Sequence, residues 1–180
     1  HYVSDGHYTS DINDRILMAK QEPNRLKRGK AFHKIVQKDW HQTAQGRIRS
    51  ELTIMKPAGR KGRIDVHADS GGDGPVAVVE IKATNWDCMT DIAVPRNVKR
   101  QSRQIWDYIE SQLSRGRTVS PGIIFPARPR DIKRLRQIER LFEAEGIAVV
   151  WSNESIEECK ARKKRAKPTL PWIEVVASVK

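Results

Sequence analysis

A short apolar run that ends in alternating charged residues constrains the fold of this sequence more than any other feature. Residues 76–79 read Val-Ala-Val-Val and lead into Glu80, Ile81 and Lys82, with turn-forming segments on either side. Such a run predicts a buried strand. Because residues i and i+2 of a strand point to the same face, Glu80 and Lys82 share one face while Ile81 points to the other.

A second carboxylate belongs to the preceding predicted strand. Asp65 lies between the apolar residues Ile64 and Val66, and a glycine-rich hairpin joins this strand to the next. Buried charges are costly unless they are paired or bind a ligand. Two carboxylates and a lysine at adjacent strand ends therefore indicate a site for a hard cation that supports phosphodiester hydrolysis. An exposed cross-strand ion pair is the alternative that the Glu-x-Lys pattern leaves open.

The net charge of the sequence indicates which class of molecule we expect the protein to bind. The 180 residues include 34 Lys and Arg against 22 Asp and Glu, a formal net charge of +12. This excess favours nucleic acid first and an anionic membrane surface second. No apolar stretch approaches the roughly 20 residues of a membrane span, so we expect no membrane partner. Two cysteines without a CxxC spacing argue against zinc modules and iron–sulfur clusters.

The order of predicted elements indicates an α/β fold with a mixed sheet and helices on both faces. One predicted helix follows a loop that contains Pro95. Its inner face is expected to carry Ile105, Trp106, Ile109 and Leu113. The sequence predicts helices at 11–20, 24–45, 98–113 and 131–145, and strands at 47–55, 63–68, 76–83, 119–125 and 147–151.

The length predicts one domain over residues 1–160, with a helical extension over about 1–24. Residues 161–180 form a basic tail. The charge run at 160–167 is expected to be solvated and mobile. Residues 171–176 are expected to add an edge strand or to dock elsewhere.

Four motifs, in order, resemble those of the PD-(D/E)XK nuclease superfamily. Asp65 and the Glu80-Ile81-Lys82 strand match its acidic and Glu-x-Lys motifs, and two further motifs resemble its RecB-like branch. These two are Gly29-x-x-x-His33 on the first long helix and Gln104-x-x-x-Tyr108 on the helix after the Glu-x-Lys strand. The resemblance covers residues 25–125 and implies a restriction-endonuclease-like core, a central mixed sheet flanked by helices.

The chain departs from this family at three points. Ile64 stands where the proline that names the superfamily would precede Asp65. The cysteines that hold an iron–sulfur cluster in some RecB-like members are missing. The helicase domains of larger members are missing as well, which puts processive DNA degradation in doubt.

The resemblance implies a cation site of nitrogen and oxygen donors. His33, Asp65, Glu80 and the main-chain carbonyl of Ile81 would hold Mg²⁺ or Mn²⁺, and the imidazole makes Mn²⁺ more competitive. The alternative for His33 is a helix-face histidine against Phe32 or Trp40. Among other carboxylates, Glu51 on the first strand is the best additional candidate, without an assigned role.

Catalytic roles follow from the same resemblance. Asp65 and Glu80 are the predicted catalytic carboxylates, and Lys82 would position the attacking water or stabilise charge on the phosphoryl group. Gln104 and Tyr108, one helical turn apart, would hold Lys82 or a substrate phosphate. Tyr108 as a plain core residue is the alternative.

A basic cluster near the predicted active-site helix is the expected nucleic-acid contact. Each phosphate that such a cluster neutralises adds to affinity and to its dependence on salt. A solvated helix face is the better interpretation for the basic residues from Lys133 to Arg140. The expected contact residues are Arg96, Lys99, Arg100 and Arg103.

We therefore expect a divalent-metal-dependent nuclease that acts on DNA. An RNase of the same fold, for example one that cuts transfer RNA, is a second hypothesis. A non-catalytic nucleic-acid-binding module is a third. The chain begins at His1 without an initiator Met. This beginning and the small size suit the toxin domain of a larger secreted bacterial effector. Such a domain would act in the cytoplasm and would have an inhibitory immunity protein as a partner.

Overall fold

The computed structural model describes residues 24–166, which form an α/β fold. We number the elements along this range. The helices are α1 (Asn24–Thr43), α2 (Ala93–Leu113), α3 (Ile132–Ala144) and α4 (Ile156–Ala166), with a 3₁₀ turn at Trp86–Cys88. The strands are β1 (Arg47–Met55), β2 (Lys61–Asp69), β3 (Val76–Ile81), β4 (Val119–Phe125) and β5 (Ala148–Trp151).

The five strands form one mixed sheet in the order β1-β2-β3-β4-β5. Strands β1, β2 and β3 are antiparallel neighbours, whereas β3, β4 and β5 run parallel. A parallel pair needs a crossover connection, and helices α2 and α3 supply it for the two parallel pairs. The predicted α/β class with a mixed sheet is confirmed.

Helices cover both faces of the sheet. Ile124 of β4 packs with Val36 of α1, whereas Ile123 packs on the opposite side with Ile105 of α2 and Ile138 of α3. This division follows from the strand geometry, because successive side chains point to opposite faces. The central strand β3 is therefore enclosed between α1 and α2.

The inner face of α2 differs in part from the prediction. Ile105 and Ile109 are buried as expected, but Trp106 and Leu113 are 38% and 50% exposed. Tyr108 lies on the inner face instead, next to Ile109. Helical spacing is compatible with an inner face that contains Trp106 and Leu113 or with one that contains Tyr108. Packing against the sheet favours the face with Tyr108.

The predicted start of α2 is wrong by five residues, and the predicted end of β3 by two. Helix α2 begins at Ala93, so Pro95 lies in its first turn rather than in a preceding loop. Proline is tolerated there because the first N–H groups of a helix have no intrahelical partner. Strand β3 ends at Ile81, before the predicted end at residue 83.

Residues 160–166 of the charge run belong to helix α4, which the sequence did not predict. Within α4, Arg162 donates hydrogen bonds to Glu139 of α3 and to Glu154. The guanidinium therefore anchors α4 to the domain. The predicted helix at 11–20 and the predicted edge strand at 171–176 lie outside the described residues.

Within residues 24–166, the structure contains no helix with both the length and the apolar character needed to cross a lipid bilayer.

Candidate metal centre

Strands β2 and β3 stop pairing at the point where the predicted acidic residues lie. Their register runs from Asp69↔Val76 to Val66↔Val79 and goes no further. Beyond it, the carboxylate of Asp65 accepts a hydrogen bond from the backbone N–H of Ile81, with Oδ2 and N 2.8 Å apart. This bond takes the place of a backbone hydrogen bond between β2 and β3, and it fixes the orientation of the Asp65 side chain.

Three side chains from three elements meet at this strand end. His33 of α1, Glu51 of β1 and Asp65 of β2 each offer one potential ligand atom, and these atoms lie within 4.8 Å of one another. His33 Nδ1 and Asp65 Oδ2 lie 3.8 Å apart. One imidazole nitrogen and two carboxylate oxygens in this arrangement make a donor set for a single divalent cation.

The Glu51 side chain is held by neighbours on both sides. Gln37 donates from Nε2 to Oε1 of Glu51, over 2.8 Å, and to the backbone carbonyl of Asp65, over 3.1 Å. Arg63 forms an ion pair with Oε2 of Glu51. Glu51 also has a backbone φ of +56°, a left-handed conformation that is unfavourable for a side-chain-bearing residue inside a strand.

A second hydrogen-bonded group adjoins the first on the α2 side. Lys82 Nζ lies 2.6 Å from Oε1 of Glu80 and donates to Oε1 of Gln104 over 3.0 Å. The Gln104 amide nitrogen donates to Glu80 Oε1 over 2.7 Å and to the Tyr108 hydroxyl over 2.8 Å. The three side chains thus fix the position of the Lys82 ammonium group.

Burial makes ionisation of the two central carboxyls unfavourable. Removal from water raises the pKa of Asp65, against the backbone hydrogen bond from Ile81, which lowers it. For Glu80, removal from water, together with the charge of Asp65, raises the pKa to about 7 even though Lys82 opposes the shift. The Glu80 side chain is 2% exposed, and its Oε2 has no hydrogen-bond partner among residues 24–166.

These features fit a bound cation. A divalent ion would offset the mutual repulsion of the carboxylates and the cost of their burial. Imidazole and carboxylate donors together can hold a divalent cation, and Mg²⁺ or Mn²⁺ as that cation stays a prediction.

The structure brings together part of the predicted ligand set. His33 and Asp65 belong to the three-residue group, but Glu51 completes it, and Glu80 lies outside it. The Glu80 carboxylate instead faces Lys82 and Gln104, so its role as a ligand stays a prediction. The main chain of Ile81 contributes an N–H to Asp65, and its carbonyl also stays a predicted ligand.

The predicted nucleic-acid contacts lie on the exposed side of α2. Their i, i+4 and i+7 spacing places Arg96, Arg100 and Arg103 along one stripe, with Lys99 beside it. All four side chains are exposed, and Arg100 also donates to the side-chain oxygen of Asn97. The same helix therefore presents Gln104 and Tyr108 to the candidate site and this stripe to solvent.

Sequence reasoning did not name Gln37, and it named Glu51 only as the best additional carboxylate, without a role. Gln37 follows His33 by four residues, so the helical repeat places both on one side of α1. That spacing was a usable signal. Glu51 lies opposite Asp65 only through the β1–β2 register, which the hairpin sequence did not reveal.

Asp69 and His67, which follow Asp65 along β2, make contacts outside the candidate site. The Asp69 carboxylate accepts two hydrogen bonds of 2.9 Å from the Arg117 guanidinium, and these contacts lower its pKa to about 2. His67 is buried and pairs with the side-chain amide of Gln112 over 3.1 Å.

Comparison of the chain with protein-family models, with curated proteins and with solved structures found no match.

Proposed function

We propose that this chain is a divalent-metal-dependent nuclease that hydrolyses phosphodiester bonds in DNA. One observation carries the proposal: the ligand atoms of His33, Glu51 and Asp65 lie within 4.8 Å of one another, next to an anchored lysine. The motif order, which resembles that of the PD-(D/E)XK superfamily, supports the same assignment. So does the net charge of +12.

A bound Mg²⁺ or Mn²⁺ would neutralise charge on the phosphoryl oxygens and lower the pKa of a coordinated water. His33, Glu51 and Asp65 would hold it. The bond from the Ile81 N–H keeps the Asp65 carboxylate in place. The bond from Gln37 does the same for Glu51.

Lys82 is the group best placed to act on the phosphate itself. Its ammonium group is half-buried and is fixed by Glu80 and Gln104, so it brings a positive charge to the site in a defined position. Such preorganised charge stabilises the negative charge that develops on the phosphoryl oxygens. Gln104 and Tyr108 are positioning residues in this scheme, since both act through the lysine.

The exposed stripe of α2 would bind the nucleic-acid backbone. Arg96, Lys99, Arg100 and Arg103 lie on the helix that also carries Gln104, so a backbone bound along the stripe passes close to the candidate site. Each phosphate contact releases counterions, which makes the affinity fall as salt rises.

An incubation series tests the proposed activity. Purified protein is incubated with supercoiled plasmid, linear duplex, single-stranded DNA and total transfer RNA, in Mg²⁺, Mn²⁺ or EDTA. We expect cleavage of DNA in Mn²⁺ or Mg²⁺ and none in EDTA. Cleavage of the transfer RNA alone would identify the chain as an RNase instead.

The matched variants separate catalysis from contamination and from binding. Asp65→Asn removes one carboxylate at the candidate site and is expected to abolish cleavage. Its control, Asp73→Asn, removes a carboxylate from the exposed hairpin at the opposite end of β3 and is expected to cleave normally. Equal cleavage by the parent and Asp65→Asn would refute the proposal. A parent that shifts nucleic acid in a gel yet cuts none of the substrates would be a binding module.

A further inference from the structure

A groove of about 600 Å³ opens beside the candidate metal centre. One wall is the first part of α1, with Arg25, Arg28 and Phe32. The other wall is formed by the segment after β3 and the residue after β4, with Ala83, Met89 and Pro126. The two walls approach closely at Gly29, where an added Cβ would lie 3.6 Å from the Cβ of Ala83.

This groove adjoins one proposed metal ligand, His33, and the lysine proposed to act on the phosphate, Lys82. Phe32 immediately precedes His33 on α1, and Ala83 immediately follows Lys82. The backbone of each wall therefore continues directly into one of these two residues, and the groove and the candidate site are neighbours in the fold.

The lining combines positive charge with apolar surface. Arg25 and Arg28 are exposed, and neither guanidinium has a hydrogen-bond or ion-pair partner among residues 24–166. Phe32, Met89 and Pro126 are half-buried and supply apolar surface. Grooves that bind unpaired nucleic acid use this combination, with cations for the phosphates and aromatic or apolar side chains for the base faces.

We infer that this groove binds an unpaired nucleic-acid strand and leads it to the metal centre. Arg25 and Arg28 would bind its phosphates, and the Phe32 ring would contact a base. A duplex fits less well, because its bases are paired inside the helix and only its charged exterior would meet the apolar lining. The choice of an unpaired strand as substrate rests on the proposed nuclease function, but the binding itself does not.

Binding is measured in EDTA, so that the readout does not depend on cleavage. Fluorescence anisotropy compares a labelled 12-nucleotide unpaired DNA, the RNA of the same sequence and the blunt DNA duplex over a series of salt concentrations. We expect the unpaired strands to bind at least about tenfold more tightly than the duplex. A duplex that binds as tightly as either unpaired strand would overturn the inference.

Two sets of variants locate the binding. Arg25→Gln with Arg28→Gln removes two charges from the groove and is expected to reduce the slope of log affinity against log salt by about 1.4. Its control, Lys27→Gln with Lys34→Gln, removes two exposed charges from the opposite side of α1 and is expected to leave the slope unchanged. Equal effects of the two pairs would contradict the inference.

Phe32→Leu tests the aromatic contact. Because Phe32 also packs against the core cluster that contains Val36, its melting temperature is measured alongside, and leucine retains much of that packing. We expect roughly fivefold to hundredfold weaker binding of the unpaired strand by the folded variant. If Phe32→Leu and the arginine pair both bind like the parent, the inference is wrong.

The outcomes separate this inference from the proposed function. If the protein cleaves plasmid in Mn²⁺ but shows no preference for unpaired strands, the proposed nuclease function stands and the groove inference is wrong. If the groove variants weaken binding but the protein cleaves nothing in either metal, the groove inference stands and the proposed nuclease function is wrong.

Discussion

The carboxylate of Asp65 accepts a hydrogen bond from the backbone N–H of Ile81, at the end of the β2–β3 pairing. The bond sets an acidic group in the gap between two strands and ties it to the main chain of the Glu-x-Lys strand. A charged side chain would otherwise destabilise this buried position. The contact therefore explains how one strand end can keep Asp65 and Glu80 so close together.

Replacing Glu51 with Gln is expected to weaken Mn²⁺ binding at least tenfold, because one of the three convergent donors loses its charge. Isothermal titration calorimetry measures this affinity in the absence of nucleic acid. Glu110→Gln, an exposed position on α2, is the control and is expected to bind Mn²⁺ like the parent. Unchanged affinity in Glu51→Gln would remove Glu51 from the site.

Replacing Gln104 with Leu is expected to lower kcat for DNA cleavage by roughly tenfold to a hundredfold, with KM little changed. The leucine no longer accepts the Lys82 hydrogen bond or donates to Glu80, so the ammonium group loses its fixed position. Steady-state kinetics on a plasmid substrate measures both constants, with the exposed Gln137→Leu as control. A rise in KM alone would instead assign Gln104 to substrate binding.

Glu80→Gln is expected to stabilise the metal-free protein above neutral pH. The folded pKa of about 7 exceeds the ordinary value of 4.5, so the folded state holds a proton that the unfolded chain has released between these pH values. Ionisable Glu80 therefore lowers the free energy of unfolding as pH rises from about 4.5 to 7, and above 7 the penalty is complete.

Urea unfolding in EDTA at pH 4.5, 6 and 8 measures this effect. The gain from Glu80→Gln should grow across this range and reach roughly 1–3 kcal/mol at pH 8. A variant that is less stable than the parent at pH 8 would show that the ion pair with Lys82 outweighs the cost of burial.

Arg162→Met is expected to destabilise the fold by roughly 2–4 kcal/mol at pH 7, because it leaves Glu139 and Glu154 without their shared partner. The exposed Lys164→Met on the same helix should change stability little. Burial raises the pKa of Glu139, but the hydrogen bonds from Arg162 and Trp151 outweigh it, and pairing with Arg162 also lowers the pKa of Glu154. The stabilisation from this pairing is therefore present above about pH 4.5 and is lost as the pH falls below that value. A deficit that stays constant down to pH 3, measured by chemical unfolding, would contradict this assignment.

Much of the fold was predictable because the relevant patterns are local. The apolar run before Glu80 predicted β3, and the helical repeat predicted the stretch of α2 that contains Gln104 and Tyr108. The start of α2 was not predictable in the same way, because Pro95 is compatible both with a loop and with a first helical turn.

The candidate site was predictable only where its residues follow recognisable motifs. His33 and Asp65 lie in such motifs, whereas Glu51 joins them through strand register and an unusual φ of +56°. The anchoring of α4 depends in part on Glu139, which is 23 residues from Arg162. Contacts of this kind come from tertiary packing. The composition of residues 160–167 alone therefore predicted only a solvated charge run.

The most direct test of the metal centre is anomalous diffraction from crystals of the protein grown with MnCl₂. We expect a peak about 2.1 Å from an imidazole nitrogen of His33 and from carboxylate oxygens of Glu51 and Asp65. Crystals with Mn²⁺ bound elsewhere, or without a peak among these three side chains, would contradict this prediction.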